Sequence, residues 1–320
     1  MQWHRNKKTG RSKRMGMLID GRWHDDADRS MQDGAYRREL SALPSRLDDA
    51  AIVALAETPD RFVLAASFSC PWSHGAVLAW QLKGFAGSMP LQGAGGPRVE
   101  GYAIKPDGPL ADAGYRHVHE LYTATDKAYT GRATVPVLWD THEWAVLSNS
   151  SEDIMVALDK AGSGSSLFPA KHAAEMAAFL PKLFDGLSNA VYRAGKAQRQ
   201  DEYDDATASV YATLHTLEER LADQTYLFGE TITAADLRLF ATLVRYDTVY
   251  ATHFRCTRYR LTDFPALWRF TRRIYQMPGV AETVDFDEIR RGYYLNDGSH
   301  NPFGLVADQP DIDWLDRSGL

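Results

Sequence analysis

Cysteine is scarce: only Cys70 and Cys256 occur in 320 residues. Two cysteines exclude a disulfide framework and make a reducing cytoplasm the expected compartment. Long apolar runs are missing too. None approaches the roughly 18 residues that span a bilayer, so a membrane-embedded protein is not expected. A positive charge balance is absent, the formal net charge being -6. That argues against binding nucleic acid by broad phosphate neutralisation. The N-terminus has no apolar stretch of a secretory signal. Its opening, "MQWHRNKKTGRSKR", is basic and aperiodic and reads as a solvated tail, with Met15 or Met17 as alternative starts. No fixed-period repeat stands out. "GAGG" at 93–96 neither follows a clear strand nor opens a helix, and reads as a flexible loop rather than a phosphate cradle. His117 and His119 alternate, while His74 and His253 lack cysteine or carboxylate partners at ligand spacing, so no metal constellation emerges.

What remains is an ordinary globular composition, 44% hydrophobic and 11% aromatic, in a chain long enough for two domains. Residues 1–50 mix charge, glycine and scattered aromatics and are expected to form an irregular extension. "RFVLAASFS" reads as a buried strand, and Trp72 to Lys83 as a helix with Pro71 in its first turn. Residues 86–114 are rich in Gly and Pro and read as a long loop with one short strand near "GYAI". "HVHELYTAT" has the length of a short helix, and "TGRATVPVLWD" places β-branched residues around Pro136 before an apolar strand. A proline at such a junction is a candidate for a cis bond. "WAVLSNSSEDIMVALDKAG" then gives a strand, a capping turn and a helix ending at Gly162.

From about residue 170 the pattern is helical throughout. Ala206, Val210, Leu214, Leu217 and Leu221 recur at three- and four-residue spacing and make one apolar stripe. Thr233 and Asp236 form a capping box in its aspartate variant. "FPALWRFTRRIYQM" supplies a further amphipathic helix, stopped by Pro278-Gly279. The organisation expected is an α/β unit over 51–162, an all-α unit over 170–294 and a tail over 295–320.

Cys70 lies where the strand turns into the helix. Free cysteine is often simply a buried packing residue. A strand-to-helix turn, however, aims helix-terminal N–H groups and the helix dipole at the sulfur and favours its thiolate. On context alone both readings stand. Ser73 occupies the position of a resolving cysteine, making the motif C-x-x-S. A reactive Cys70 would then be a monothiol that needs an external small thiol to regenerate it. Cys256, in "HFRCTRY", reads as a packed residue of a helical segment.

The chain resembles the glutathionyl-hydroquinone reductases, the Xi class of glutathione transferases. "CPWSH" at 70–74, "YTGRATVPVLWD" at 129–140 and "LSNSSEDI" at 147–154 carry the likeness. "NAVYRAGKA", "YLFGETITAADLRLFATLVRYDTVYATHFRC", "FPALWRFTRRIYQMPGVAETVDFDEIRRGYY" and "NPFGLV" extend it nearly to the C-terminus. The resemblance implies a thioredoxin-like N-terminal domain followed by an all-helical glutathione-transferase C-terminal domain, as a homodimer. It also implies a reaction: Cys70 attacks the sulfur of a glutathionylated hydroquinone, and glutathione, the co-substrate, resolves the mixed disulfide. Trp72, Tyr102, Arg132, Val135, Pro136, Ser150 and Ser151 are the thiol-binding residues it implies, with Val135 pairing to the peptide backbone and Ser151 holding the γ-glutamyl carboxylate. Tyr192, Tyr250 and Tyr293 would line the hydroquinone pocket. It implies no metal and no permanently bound cofactor.

Three positions depart from the family pattern. Gly75 stands where an arginine is usual, Ser150 where a glutamate meets the γ-glutamyl ammonium, and Tyr102 where a tryptophan is usual. A thiol without those charges, such as mycothiol, is therefore an alternative co-substrate. Two further readings stand on the same fold: ordinary glutathione conjugation, and a non-catalytic binding or scaffold role.

Overall fold

The computed structural model describes residues 16–25, 27, 30–37, 43–297 and 300–320. The first of these form two short antiparallel hairpins, β1 (Met17–Ile19) with β2 (Arg22–His24), and β3 (Met31–Gln32) with β4 (Ala35–Tyr36). The stretch expected to be irregular thus carries local order. Its cause is docking: Leu18 is fully buried, and it exchanges both backbone hydrogen bonds with Gly131 at 2.9 Å. The opening basic tail, 1–15, lies outside the described residues.

Helix α1 (Asp49–Glu57) leads into strand β5 (Phe62–Ala66), helix α2 (Pro71–Leu82) and strand β6 (Leu91–Gly95). Strands β5 and β6 are parallel, so α2 is the crossover of a β-α-β unit. Then come β7 (Ala103–Ile104), α3 (Pro109–Asp112), α4 (Val118–Thr125), β8 (Val137–Asp140), β9 (Ala145–Ser148) and α5 (Ser151–Ala161). The sheet order is β7-β6-β5-β8-β9. Every residue of β5 is buried because both faces are covered. Phe62, Leu64 and Ala66 pack on one side with α2 and α5, while Val63 and Ala65 pack on the other with Val118, Leu121 and Tyr122.

Strand β6 corrects the flexible-loop reading of "GAGG". Long side chains lie over its glycines: a Cβ at Gly93 would come 2.7 Å from Lys105 Cδ, and one at Gly95 2.8 Å from Glu288 Oε1. Without β-branched residues this strand carries no local signal.

The second half is helical: α6 (Ala173–Leu183), a π turn (Phe184–Ser188), α7 (Ala190–Lys196), α8 (Gln200–Ala222), α9 (Ala234–Leu243), a π turn (Tyr246–Tyr250), α10 (Pro265–Tyr275) and α11 (Phe286–Tyr294). The predicted stripe of α8 is buried, and Thr233 with Asp236 caps α9. The tail folds back on α10, where Trp314 packs on Trp268 and Tyr275. No helix among the described residues is long and apolar enough to cross a membrane.

Candidate active site

Cys70 is the N-cap of α2, with extended backbone and Pro71 at the first helical position. Its amide donates to Ser67 O at 3.0 Å, closing a tight turn that sets the sulfur at the helix N-terminus. The residue is 7% exposed, and Sγ lies 3.8 Å from the carbonyl oxygen of Val135. The Val135-Pro136 bond is cis.

A polar clamp from the helical half holds this turn. Arg245, wholly buried, donates from Nη2 to Phe68 O at 2.6 Å and from Nε to Ser69 O at 3.2 Å. Its Nη1 reaches Ala241 O at 2.6 Å and His74 Nδ1 at 2.9 Å. Since the guanidinium only donates, His74 Nδ1 accepts and Nε2 carries the proton toward Thr283 Oγ1, 2.9 Å away. Burial, reinforced by the Arg245 charge, pushes the His74 pKa well below its ordinary value. With both ring nitrogens engaged, this neutral imidazole structures the turn and is not free to act as a base.

Cys70 opens onto a cleft of about 480 Å³ between the two halves. Trp72, Tyr102, Arg132, Val135, Tyr192 and Tyr293 line it. The phenols form a chain: Tyr192 and Tyr293 hydroxyls are 2.5 Å apart, and Tyr250 and Tyr293 hydroxyls 3.1 Å apart. Burial raises all three, Tyr192 and Tyr293 well above the ordinary phenol value, and holds Tyr102 at about 12, so all four are neutral donors near pH 7. Tyr250 itself is fully buried and stands behind Tyr293 rather than on the cleft wall.

Ser151, Trp72 and Gly75 share a smaller adjoining groove with Met155 and Arg238. Ser151 is the first residue of α5, and Ser150 is its N-cap, whose hydroxyl accepts from the Asp153 amide at 3.2 Å. A Cβ at Gly75 would already sit 3.3 Å from Met155 Sδ, so the missing arginine leaves α2 and α5 in close contact. Arg238 on this groove pairs with the exposed Glu152 outside it, 3.2 Å away. Pro136 lines neither space.

Sequence reasoning did not single out Lys196, Asp297 or His300, which also line the large cleft. Asp297 accepts from Lys196 at 3.0 Å, and lies 3.1 Å from His253 Nε2 and 3.2 Å from His300 Nδ1. Burial alone would raise its carboxyl, but the two histidine hydrogen bonds and the lysine charge hold it far below the usual range. A charge spacing of about 100 residues left no local signal. Cys256 lies in an irregular segment rather than a helix; it is wholly buried and burial raises its thiol to about 12, which fits a packing role.

A cysteine capping the β-α-β crossover helix α2 of a thioredoxin-like layer, faced by a helical half across a cleft, marks a glutathione transferase. The description "Glutathione S-transferase, C-terminal domain" fits residues 200–273. The chain is 36% identical to glutathionyl-hydroquinone reductase YqjG of Escherichia coli, over 94% of this chain and 96% of that one. It is 34% identical to glutathionyl-hydroquinone reductase PcpF of Sphingobium chlorophenolicum, over 92% and 96%. A Xi-class transferase from Natrialba magadii superposes with a TM-score of 0.84 at 33% identity, covering 96% and 97% of the two chains. The glutathione-bound structure of YqjG gives 0.81 at 35%, covering 95% and 98%. The chain therefore belongs to the glutathionyl-hydroquinone reductases, the Xi-class glutathione transferases, a family of enzymes.

Proposed function

We propose that this enzyme uses Cys70 to remove a glutathionyl group from glutathionylated aromatic hydroquinones. The observation that carries the reading is the placement of Cys70 Sγ at a helix N-terminus, on the same cleft as the coupled hydroxyls of Tyr192 and Tyr293. The helix end favours an anionic sulfur. That thiolate attacks the conjugate's sulfur; the carbon–sulfur electron pair leaves with the ring carbon, which takes up a proton. Cys70 is thereby oxidised to a mixed disulfide and the ring is reduced to the free hydroquinone. A molecule of glutathione attacks the disulfide, returning the Cys70 thiol and releasing oxidised glutathione. The phenols donate hydrogen bonds to the hydroquinone oxygens and their rings bound its faces.

Glutathione runs from Cys70 past the Val135 backbone toward the N-terminus of α5, with its γ-glutamyl end near Ser151 and the Arg238–Glu152 pair. The pair offers a counterpart to both charges of that end despite the serine at position 150. Glutathione thus remains our choice over mycothiol, and cysteine chemistry our choice over conjugation or a scaffold role. The reading includes a cytoplasmic homodimer, checked by light scattering of the purified chain.

Intact-mass measurement after mixing with a glutathionyl-hydroquinone should find one glutathione adduct on Cys70. Added glutathione should discharge it. Cys70→Ser should form no adduct and release no hydroquinone. Turnover by Cys70→Ser, or discharge by mycothiol but not by glutathione, would overturn the proposal.

A further inference from the structure

Away from Cys70, the short strand β7 brings together residues that are distant in sequence. Val118 N donates to Tyr102 O at 2.9 Å, Ile104 N donates to Arg116 O at 2.8 Å, and Ala103 pairs with His117. This antiparallel crossing sets Glu100 beside His117 and His119. One ligand atom from each lies within 4.8 Å of the other two, the group of this kind found among the described residues. Linear spacing does not show it, because the carboxylate comes 17 residues before the first histidine.

The donors are prepared to different degrees. His119 is pinned by stacking on Trp23, ring centroids 4.9 Å apart, and its side chain is 12% exposed. Its Nε2 is buried and makes no aligned hydrogen bond, although Glu100 Oε2 is 3.4 Å away. His117 lies parallel to His119, centroids 5.4 Å apart at 8°, with Nδ1 3.9 Å from the same Glu100 oxygen. Glu120, the other nearby acid, is committed to the helix end, where its Oε2 accepts from the amides of Arg116 and His117.

We propose that Glu100, His117 and His119 bind a divalent transition-metal ion of the zinc type, outside the Cys70 cleft. Two imidazoles and a carboxylate suit zinc and leave a fourth position for water. Tetrahedral ligands at ordinary zinc bond lengths stand about 3.3 Å apart. Glu100 Oε2 already lies 3.4 Å from His119 Nε2 and 3.9 Å from His117 Nδ1, so the separation left to close is between the two rings, by rotation of His117, whose side chain is 27% exposed.

The test is calorimetric titration of zinc into the full chain carrying Cys70→Ser, which removes the competing thiol. Saturable binding of one equivalent is expected, with affinity reduced at least tenfold by His117→Ala, by His119→Ala and by Glu100→Gln. Cobalt should give visible absorption of a four-coordinate site in the same protein and lose it in the same variants. His119→Ala also removes the Trp23 stack, so Glu100→Gln, at a half-exposed side chain, is the variant that tests the site without disturbing the fold. Absence of saturable binding, or an affinity in Glu100→Gln and His117→Ala unchanged from that of the parent protein, would overturn the assignment.

Discussion

Tyr293 stands at the centre of the phenol chain, in contact with the hydroxyls of both Tyr192 and Tyr250. A hydroxyl with two phenol neighbours can accept from one while donating to a substrate oxygen, and burial keeps it protonated. Removing that hydroxyl strips a donor from the ring that must be reduced, and leaves the sulfur chemistry untouched. Tyr293→Phe should therefore slow hydroquinone release at least tenfold, in keeping with about 1.5–3 kcal/mol for a hydrogen bond to charge developing on the substrate oxygen. Alkylation of Cys70 by iodoacetamide should proceed at the wild-type rate. Equal slowing of both reactions would show that the residue shapes the cysteine turn instead.

At the scale of elements, the cysteine turn is wedged between the α9 end and α11. Arg245 grips its carbonyls from one side, and Gly292 of α11 meets it from the other. A Cβ at position 292 would lie 2.3 Å from Ser69 Cβ, closer than any real contact, so the helix can approach only as glycine. Gly292→Ala should cost about 1–3 kcal/mol of stability by overpacking. It should also lower turnover at least tenfold by displacing the turn, with helix content by circular dichroism unchanged. Wild-type turnover with a wild-type melting temperature would refute the wedge.

The same contacts explain what could be read in advance. Strand β5, helix α2 and the stripe of α8 announce themselves through apolar period, proline placement and caps. Cys70, Trp72, Val135 and the cleft tyrosines were legible because they sit inside distinctive strings. Strand β6 and the docked hairpin were not, because glycine under a packed side chain and the short buried pair Met17–Leu18 have meaning only in three dimensions. Arg245 was hidden for a related reason. A buried arginine whose partners are backbone carbonyls nearly 180 residues away looks like any surface charge in sequence.

Over the whole molecule, the seam between the two halves is partly polar, and its protonation links stability to pH. His74 of α2 joins Arg245 and Thr283 of the helical half only as a neutral ring. Its folded pKa lies well below 6.5, so below that pH the unfolded chain binds a proton that the native state refuses. The His74 contribution is full above about pH 6.5 and is lost as pH falls toward the folded value, by up to about 1.4 kcal/mol per pH unit. Asp236 acts in the opposite sense. Burial, partly offset by its cap hydrogen bonds, raises its carboxyl to about 6, so its contribution weakens as pH rises from about 4 to 6. The wild-type curve alone therefore mixes the two slopes. His74→Gln retains an acceptor toward Arg245 and a donor toward Thr283 but cannot titrate, so the difference between the two proteins isolates the histidine. Urea unfolding at pH 7.5 and 5.5 should show the wild type losing about 1 kcal/mol more than His74→Gln over that interval. Parallel losses in the two proteins would mean that His74 is protonated in the native state and that the seam opens to admit water.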